Sequence, residues 1–101
     1  MQKYWVNGGG NWNDTFHWST TSGGVGGTAI PTSADNVRFD ANSFSVAGTV
    51  TLNVIANCLD LDFTGIDVAV LFSSNVYSIN VYGSLTLWTG LTWTFTGTAY
   101  T

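Results

Sequence analysis

The sequence predicts an all-β protein: a β-solenoid-like stack of short strands behind an irregular, aromatic and glycine-rich N-terminal cap. Three observations lead there. From residue 45 onward apolar and polar residues alternate with period two, the side-chain period of a strand. The alternating runs also resemble one another, because LDLDFTG lays over LTWTFTG with Leu59, Leu61, Phe63 and Gly65 matching Leu91, Trp93, Phe95 and Gly97. Loose repeats of short strands are what stacked coils produce when each buries its apolar face on the next. The first 44 residues have a different grammar, dominated by glycine and tryptophan. A β-sandwich is the alternative, although a sandwich does not require repeated runs.

Taken in order, the chain opens on KYWVNGGGNWNDTFHWSTTSGG. A stack of coils leaves one end exposed and needs a cover. Trp5, Trp12, Phe16 and Trp18 are placed to supply it, and the glycines at 8–10 and 23–27 give the backbone freedom for an irregular path. The stretch TSADNVRFDANS is too rich in Asp, Asn and β-branched residues for a helix and reads as turns around a short strand from Asn36 to Asp40. The strands that follow are TVTLNVIA, CLDLDFTG, VAVLFSS, YSINVYG, SLTLWTG and LTWTFTG, each ending at Gly, Ser or Asn or running into a turn. The expected organisation is one domain, 1–101, with a cap region at 1–44 and a repeated strand region at 45–101.

Composition narrows the function classes. Hydrophobic residues make up 45% of the chain and charged residues 8%, which excludes a disordered tail and leaves Ser, Thr, Asn and Gly to form a neutral surface. A surface of that kind keeps a free monomer soluble poorly, so assembly into something larger is expected. Six aspartates and no glutamate stand against Lys3 and Arg38, for a net charge of -4. With so few cations, nucleic acid and anionic membrane surfaces are not expected partners. No apolar run approaches the roughly 20 residues of a membrane-spanning helix. The N-terminus has no apolar signal segment, so export by that route is not expected. Cys58, the single cysteine, can form no internal disulfide; the alternation places it opposite a face of Leu59, Leu61 and Phe63, as a small packed residue.

The order Gly-Asn-Trp-Asn-Asp, then His-Trp-Ser, then a glycine-rich link and Pro-Thr-Ser-Ala-Asp-Asn-Val-Arg-Phe-Asp resembles a leader found on bacterial surface β-helix proteins, including autotransporter-like passengers, and on phage virion β-solenoid proteins. Trp12, Trp18, Pro31, Ser33, Asp35, Val37 and Phe39 fall on the positions of that pattern. The match covers about the first half of the chain. The resemblance implies a structural cap made of Trp5, Trp12, Trp18, Pro31, Asp35 and Phe39. It also implies a role in a particle or on a cell surface, and the missing signal segment favours the phage side, whose proteins assemble in the host cytoplasm.

Candidate chemistry is sparse. His17 has Asp14 and Ser19 nearby in sequence, but adjacency is not a triad, and Asp14 is better suited to capping a turn in NWNDT. Asp60 and Asp62 point to one side of a strand with Asp67 just beyond it; as outward carboxylates they discourage edge pairing, and Ca²⁺ bound by the three is the minority alternative. Trp88 lies on the phase opposite Leu85 and Leu87 and is expected to face outward, as is Tyr82 opposite Ile79 and Val81. Both are candidates for an interface or a glycan contact, whereas Trp93 belongs to the core.

The expected function is therefore a non-enzymatic structural protein of a phage particle, a decoration, fibre or tail-associated subunit, whose partners are further copies of itself or other virion proteins. No catalytic residue, cofactor or metal is assigned. The alternative is a carbohydrate-binding or adhesive module at a bacterial cell surface, with glycans as partners. A polysaccharide depolymerase is the remaining option and rests on analogy of fold alone.

Overall fold

The structure, a computed structural model, describes residues 1–94 and the pair Ala99–Tyr100, the latter as backbone only. Among the described residues the strands are β1 (Gln2–Trp5), β2 (Gly10–Asn11), β3 (Trp18–Ser19), β4 (Asn36–Arg38), β5 (Gly48–Thr51), β6 (Ala56–Cys58), β7 (Leu61–Asp62), β8 (Val70–Ser73), β9 (Ile79–Val81), β10 (Leu85–Thr86), β11 (Leu91–Thr94) and β12 (Ala99–Tyr100). A single 3₁₀ turn, Thr15–His17, is the only helical element among them. Asp14 caps it, its carboxylate accepting a hydrogen bond from the Phe16 N–H at 3.0 Å.

These strands form three sheets, in the orders β10-β7-β4-β1-β3, β11-β8-β5-β2 and β12-β9-β6. All pairings are parallel except β1 with β3, which is antiparallel and covers the outer edge of β1. From β4 onward the chain visits the three sheets in turn, so residues on successive passes lie in rows. Val37, Leu61 and Leu85 form one row, and Val50, Phe72 and Trp93 another. Strand spacing of about 4.8 Å in the pairing direction puts inward side chains of neighbouring passes in direct contact.

Aromatic rings exploit that spacing. His17 stacks on Trp5 with ring centroids 4.5 Å apart, Trp5 on Phe39 at 5.5 Å and Phe39 on Phe63 at 4.7 Å. Trp93 lies parallel to Phe72 at 5.1 Å. Trp12 and Trp18 meet this column edge-on, Trp12 against Phe72 and Trp18 against Trp5. Trp5, Trp12, Trp18, Phe39, Phe63 and Phe72 are all fully buried. Each favourable ring pair adds about 0.5–1.5 kcal/mol beyond the area it hides.

The expected all-β, β-solenoid-like stack is corrected by this architecture. Strand accounts for about 35% of the chain and helix for almost none. The extents of 28 × 26 × 22 Å describe a compact globule of several small, mostly parallel sheets. Parallel pairing also disposes of the sandwich alternative, whose sheets are antiparallel. The physical reason is that strands of two to four residues alternate with corners, so more chain goes into turns than the near-continuous alternation suggested. The repeat was likewise laid in a different register. Leu61 pairs with Leu85 and Trp93 with Phe72, while Phe95 and Gly97 lie outside the described residues. Cys58 and Leu61 are both inside whereas Leu59 is exposed, because the chain turns a corner between β6 and β7 and the period of two does not run through it.

Replacing Phe39 with alanine removes the middle ring of the column, and replacing Trp18 removes its largest edge-on contact. Each substitution is expected to cost about 3–5 kcal/mol of folding stability, read as a lowered midpoint in urea denaturation; a change under about 0.5 kcal/mol at either site would contradict the packing described.

Candidate interaction surface

The sheets end differently on their two sides. On one side β3 covers β1. On the other, β10, β11 and β12 are the outermost strands of their sheets among the described residues. Leu85, Leu91 and Trp93 pack there against the core but are only partly buried. Around them Tyr82, Leu87 and Trp88 are 62%, 53% and 45% exposed.

Local chemistry fixes these side chains. Trp88 begins a turn closed by the Leu91 N–H on its carbonyl at 3.2 Å, and Gly90 at φ 92° occupies the position that needs the left-handed region. Tyr82 is held by its N–H on the Cys58 carbonyl at 3.0 Å. Beside it, a Cβ on Gly83 would run into the Asp60 carboxylate, which accepts from the Ser84 N–H at 2.8 Å. Tyr82 and Trp88 are exposed as expected, but Leu87, expected inward, is more exposed than Trp88, so alternation does not account for Trp88. Leu87 follows β10, the outermost strand of its sheet among the described residues.

The tryptophans named for the cap are brought together at the covered end, whereas Phe16, expected to join them, is 59% exposed. Trp5, Trp12, Trp18 and Phe39 form the ring cluster, and Pro31 and Asp35 are buried beside it. Sequence reasoning missed the partner of Asp35. Lys3, on β1, is 5% exposed and places its Nζ 3.2 Å from Asp35 Oδ2, while donating to the carbonyls of Ala29 at 2.8 Å and Ile30 at 3.3 Å. Asp35 also accepts from the N–H of Thr32 at 2.9 Å and from its hydroxyl at 3.2 Å. The signal available was the arithmetic itself: a lysine two residues before a buried tryptophan on a strand shares its inward phase.

The remaining candidates are dispersed. His17 is buried against Trp5, and its Nδ1 lies 2.7 Å from the Val6 carbonyl, which can only accept, so that nitrogen carries the proton. Asp14 is engaged with Phe16 and Ser19 Oγ accepts from the Thr21 N–H at 3.2 Å, so the three do not form a triad. Asp60 and Asp62 share the outer face of their sheet. Asp62 accepts from the Thr64 N–H at 2.8 Å and lies 3.9 Å from Arg38, and Asp67 is exposed in the following turn. Among the described residues no group of three or more His, Cys, Asp or Glu is placed to hold a metal ion. The Cys58 thiol is pushed up to about 12, by burial first and by the charge of Asp60 second, which makes it a poor nucleophile. No helix among the described residues is long and apolar enough to cross a membrane.

No protein-family model matches the chain, and neither a curated protein nor a solved structure matches it at a significant level.

The buried Lys3–Asp35 pair makes stability depend on pH. Burial pushes the Asp35 carboxyl up, but the Thr32 N–H and the hydrogen bond and charge of Lys3 outweigh it, and the net value falls below the ordinary one. The folded state therefore binds the proton less readily than the unfolded chain. The stability from Asp35 is complete above the ordinary aspartate value of about 3.9 and is lost as pH falls through the lower folded value. Asp35→Asn, which leaves the Lys3 ammonium buried without its counter-charge, is expected to cost about 3–5 kcal/mol at neutral pH and to flatten the acid limb of urea midpoints measured from pH 7 downward. An unchanged midpoint or an unchanged acid limb would refute the assignment.

Proposed function

We propose that the chain is a non-enzymatic structural subunit of a phage particle, a decoration, fibre or tail-associated protein, that acts by assembling with copies of itself or with other virion proteins. The observation that carries the assembly reading is the β10–β11 end. Two strand edges and an apolar rim of Leu87, Trp88 and Tyr82 lie together there. Free edges and exposed aromatics are the usual substance of strand-to-strand and hot-spot contacts. Edge strands that stay single are commonly blunted by lysine, proline or a bulge. Here the outward residues Thr86 and Thr92 are neutral, which leaves the edge open to a partner. The particle itself is suggested by the leader resemblance. A carbohydrate-binding or adhesive module is the second reading, favoured by the exposure of the Trp88 ring, which offers a platform for a sugar face.

At micromolar concentration the protein is expected to sediment faster than a monomer. Thr92→Lys, which puts a charge on the free edge, and Trp88→Ala are each expected to shift it toward the monomer. A monomeric wild type that also fails to bind purified phage particles would overturn the assembly reading and leave the adhesive one.

A further inference from the structure

At the covered end, away from β10 and β11, lies an open cleft of about 560 Å³ lined by Asn7, Gly8, Phe16, Asn42, Ser45 and Val46, with Ser43 at its base. That volume lies within the roughly 300–1,000 Å³ of small-molecule sites. We propose that this cleft binds a neutral saccharide, one pyranose ring lying on the face of Phe16 while its hydroxyls donate to the side-chain oxygens of Asn7, Asn42 and Ser45.

The first support is an aromatic ring displayed where the fold has no use for it. Phe16 is 59% exposed, while the residue after it is buried. Its ring meets His17 edge-on at 5.5 Å, and His17 is stacked on Trp5 at 4.5 Å. Its backbone is fixed. The Phe16 carbonyl accepts from Asn7 Nδ2 at 2.7 Å, and Gly26 lies so close that a Cβ there would overlap that same oxygen.

The second support is a set of polar atoms held in place with capacity left over. Asn7 sits at φ 68° and gives its Nδ2 to Phe16, which leaves its Oδ1 free to accept. Gly8 is tied at both ends, its carbonyl accepting from Trp5 Nε1 at 2.7 Å and its N–H donating to Ser43 O at 3.0 Å. Across the cleft, Asn42 donates its backbone N–H to Asp40 Oδ1 at 2.9 Å and its Nδ2 to Ser22 Oγ at 3.1 Å, so its Oδ1 is likewise positioned and unspent. Acceptors held by hydrogen bonds beside a ring on a fixed backbone lower the ordering cost of binding. A pyranose offers what they need, an apolar C–H face for the ring and donating hydroxyls at its rim.

The third support is charge. None of the lining residues is ionisable, and the chain carries a net charge of -4, so an acidic sugar would be repelled and gain no counter-ion. A neutral hexose or N-acetylhexosamine unit is the class that fits. The site is distinct from Trp88, and it does not depend on the assembly reading.

Amide chemical shifts of the whole 101-residue chain, followed while maltose, cellobiose, lactose and N,N′-diacetylchitobiose are added in turn at millimolar concentration, test the proposal. At least one disaccharide is expected to move the amides of Asn7, Phe16 and residues 42–46, with saturation. Phe16→Ala and Phe16→Leu are each expected to weaken that binding about tenfold, equivalent to about 1.4 kcal/mol. Phe16→Leu keeps the apolar bulk and guards against a folding defect in the alanine variant. No response to any of the four sugars, a response confined to the surroundings of Tyr82 and Trp88, or equal binding by Phe16→Leu would each overturn it.

Discussion

Everything in this fold depends on keeping aromatic rings in register across successive passes of the chain. His17, Trp5, Phe39 and Phe63 form a continuous face-to-face column, and Phe72 and Trp93 a second one beside it. Parallel pairing is what makes the columns available, since it sets equivalent residues of neighbouring strands one spacing apart. A slip of one residue would turn each ring outward. The corners must therefore return the chain to the same phase each time. They do so with side chains that accept from the backbone two residues on, as Asp14, Asp40 and Asp62 each do. Four of the six aspartates are thus accounted for, once Asp35 and its lysine are added, by structure alone.

The ionic pair has a different task from the rings. Lys3 reaches Asp35 and two carbonyls of the 29–30 stretch, so one ammonium ties β1, the glycine-rich link and the turn before β4 together. A buried pair contributes little net stability against an apolar substitute of the same volume, but it fails badly if either partner is removed. That asymmetry suits a segment with no regular structure, whose path must be singled out from many that would hide a similar apolar area.

What could be read from the sequence was local. Alternation identified most strands, and the outward phase of Asp60, Asp62 and Tyr82 followed from it. Asp14 as a cap was legible from NWNDT. The repeat register was not, because LDLDFTG and LTWTFTG are equally apolar in two alignments and only the corner lengths decide between them. Leu59 and Leu87 failed for related reasons: one lies at a corner where the period breaks, the other on a pass with no described neighbour above it. The cleft was invisible because Phe16, Asn7, Asn42 and Ser45 come from three separated stretches. In NDTFHW nothing marks Phe16 as the one ring of its neighbourhood that turns out; burial of His17 and Trp18 on either side of the column uses up the inward positions and forces it.

The two candidate surfaces then lie at opposite ends of the sheet order. The edges of β10 and β11 stand at one end, and the cleft at the other is built from residues between β1 and β3 together with residues 42–46, between β4 and β5. A contact that consumed the free edges would leave Phe16 and its amides exposed, and in a self-assembled particle the cleft would be repeated once per copy. Weak individual sugar contacts, of the kind a single ring and three oxygens can make, gain from such repetition because each bound copy raises the local concentration for the next. The cleft needs no partner to bind one ring, and assembly at the far end would add to it only by repetition.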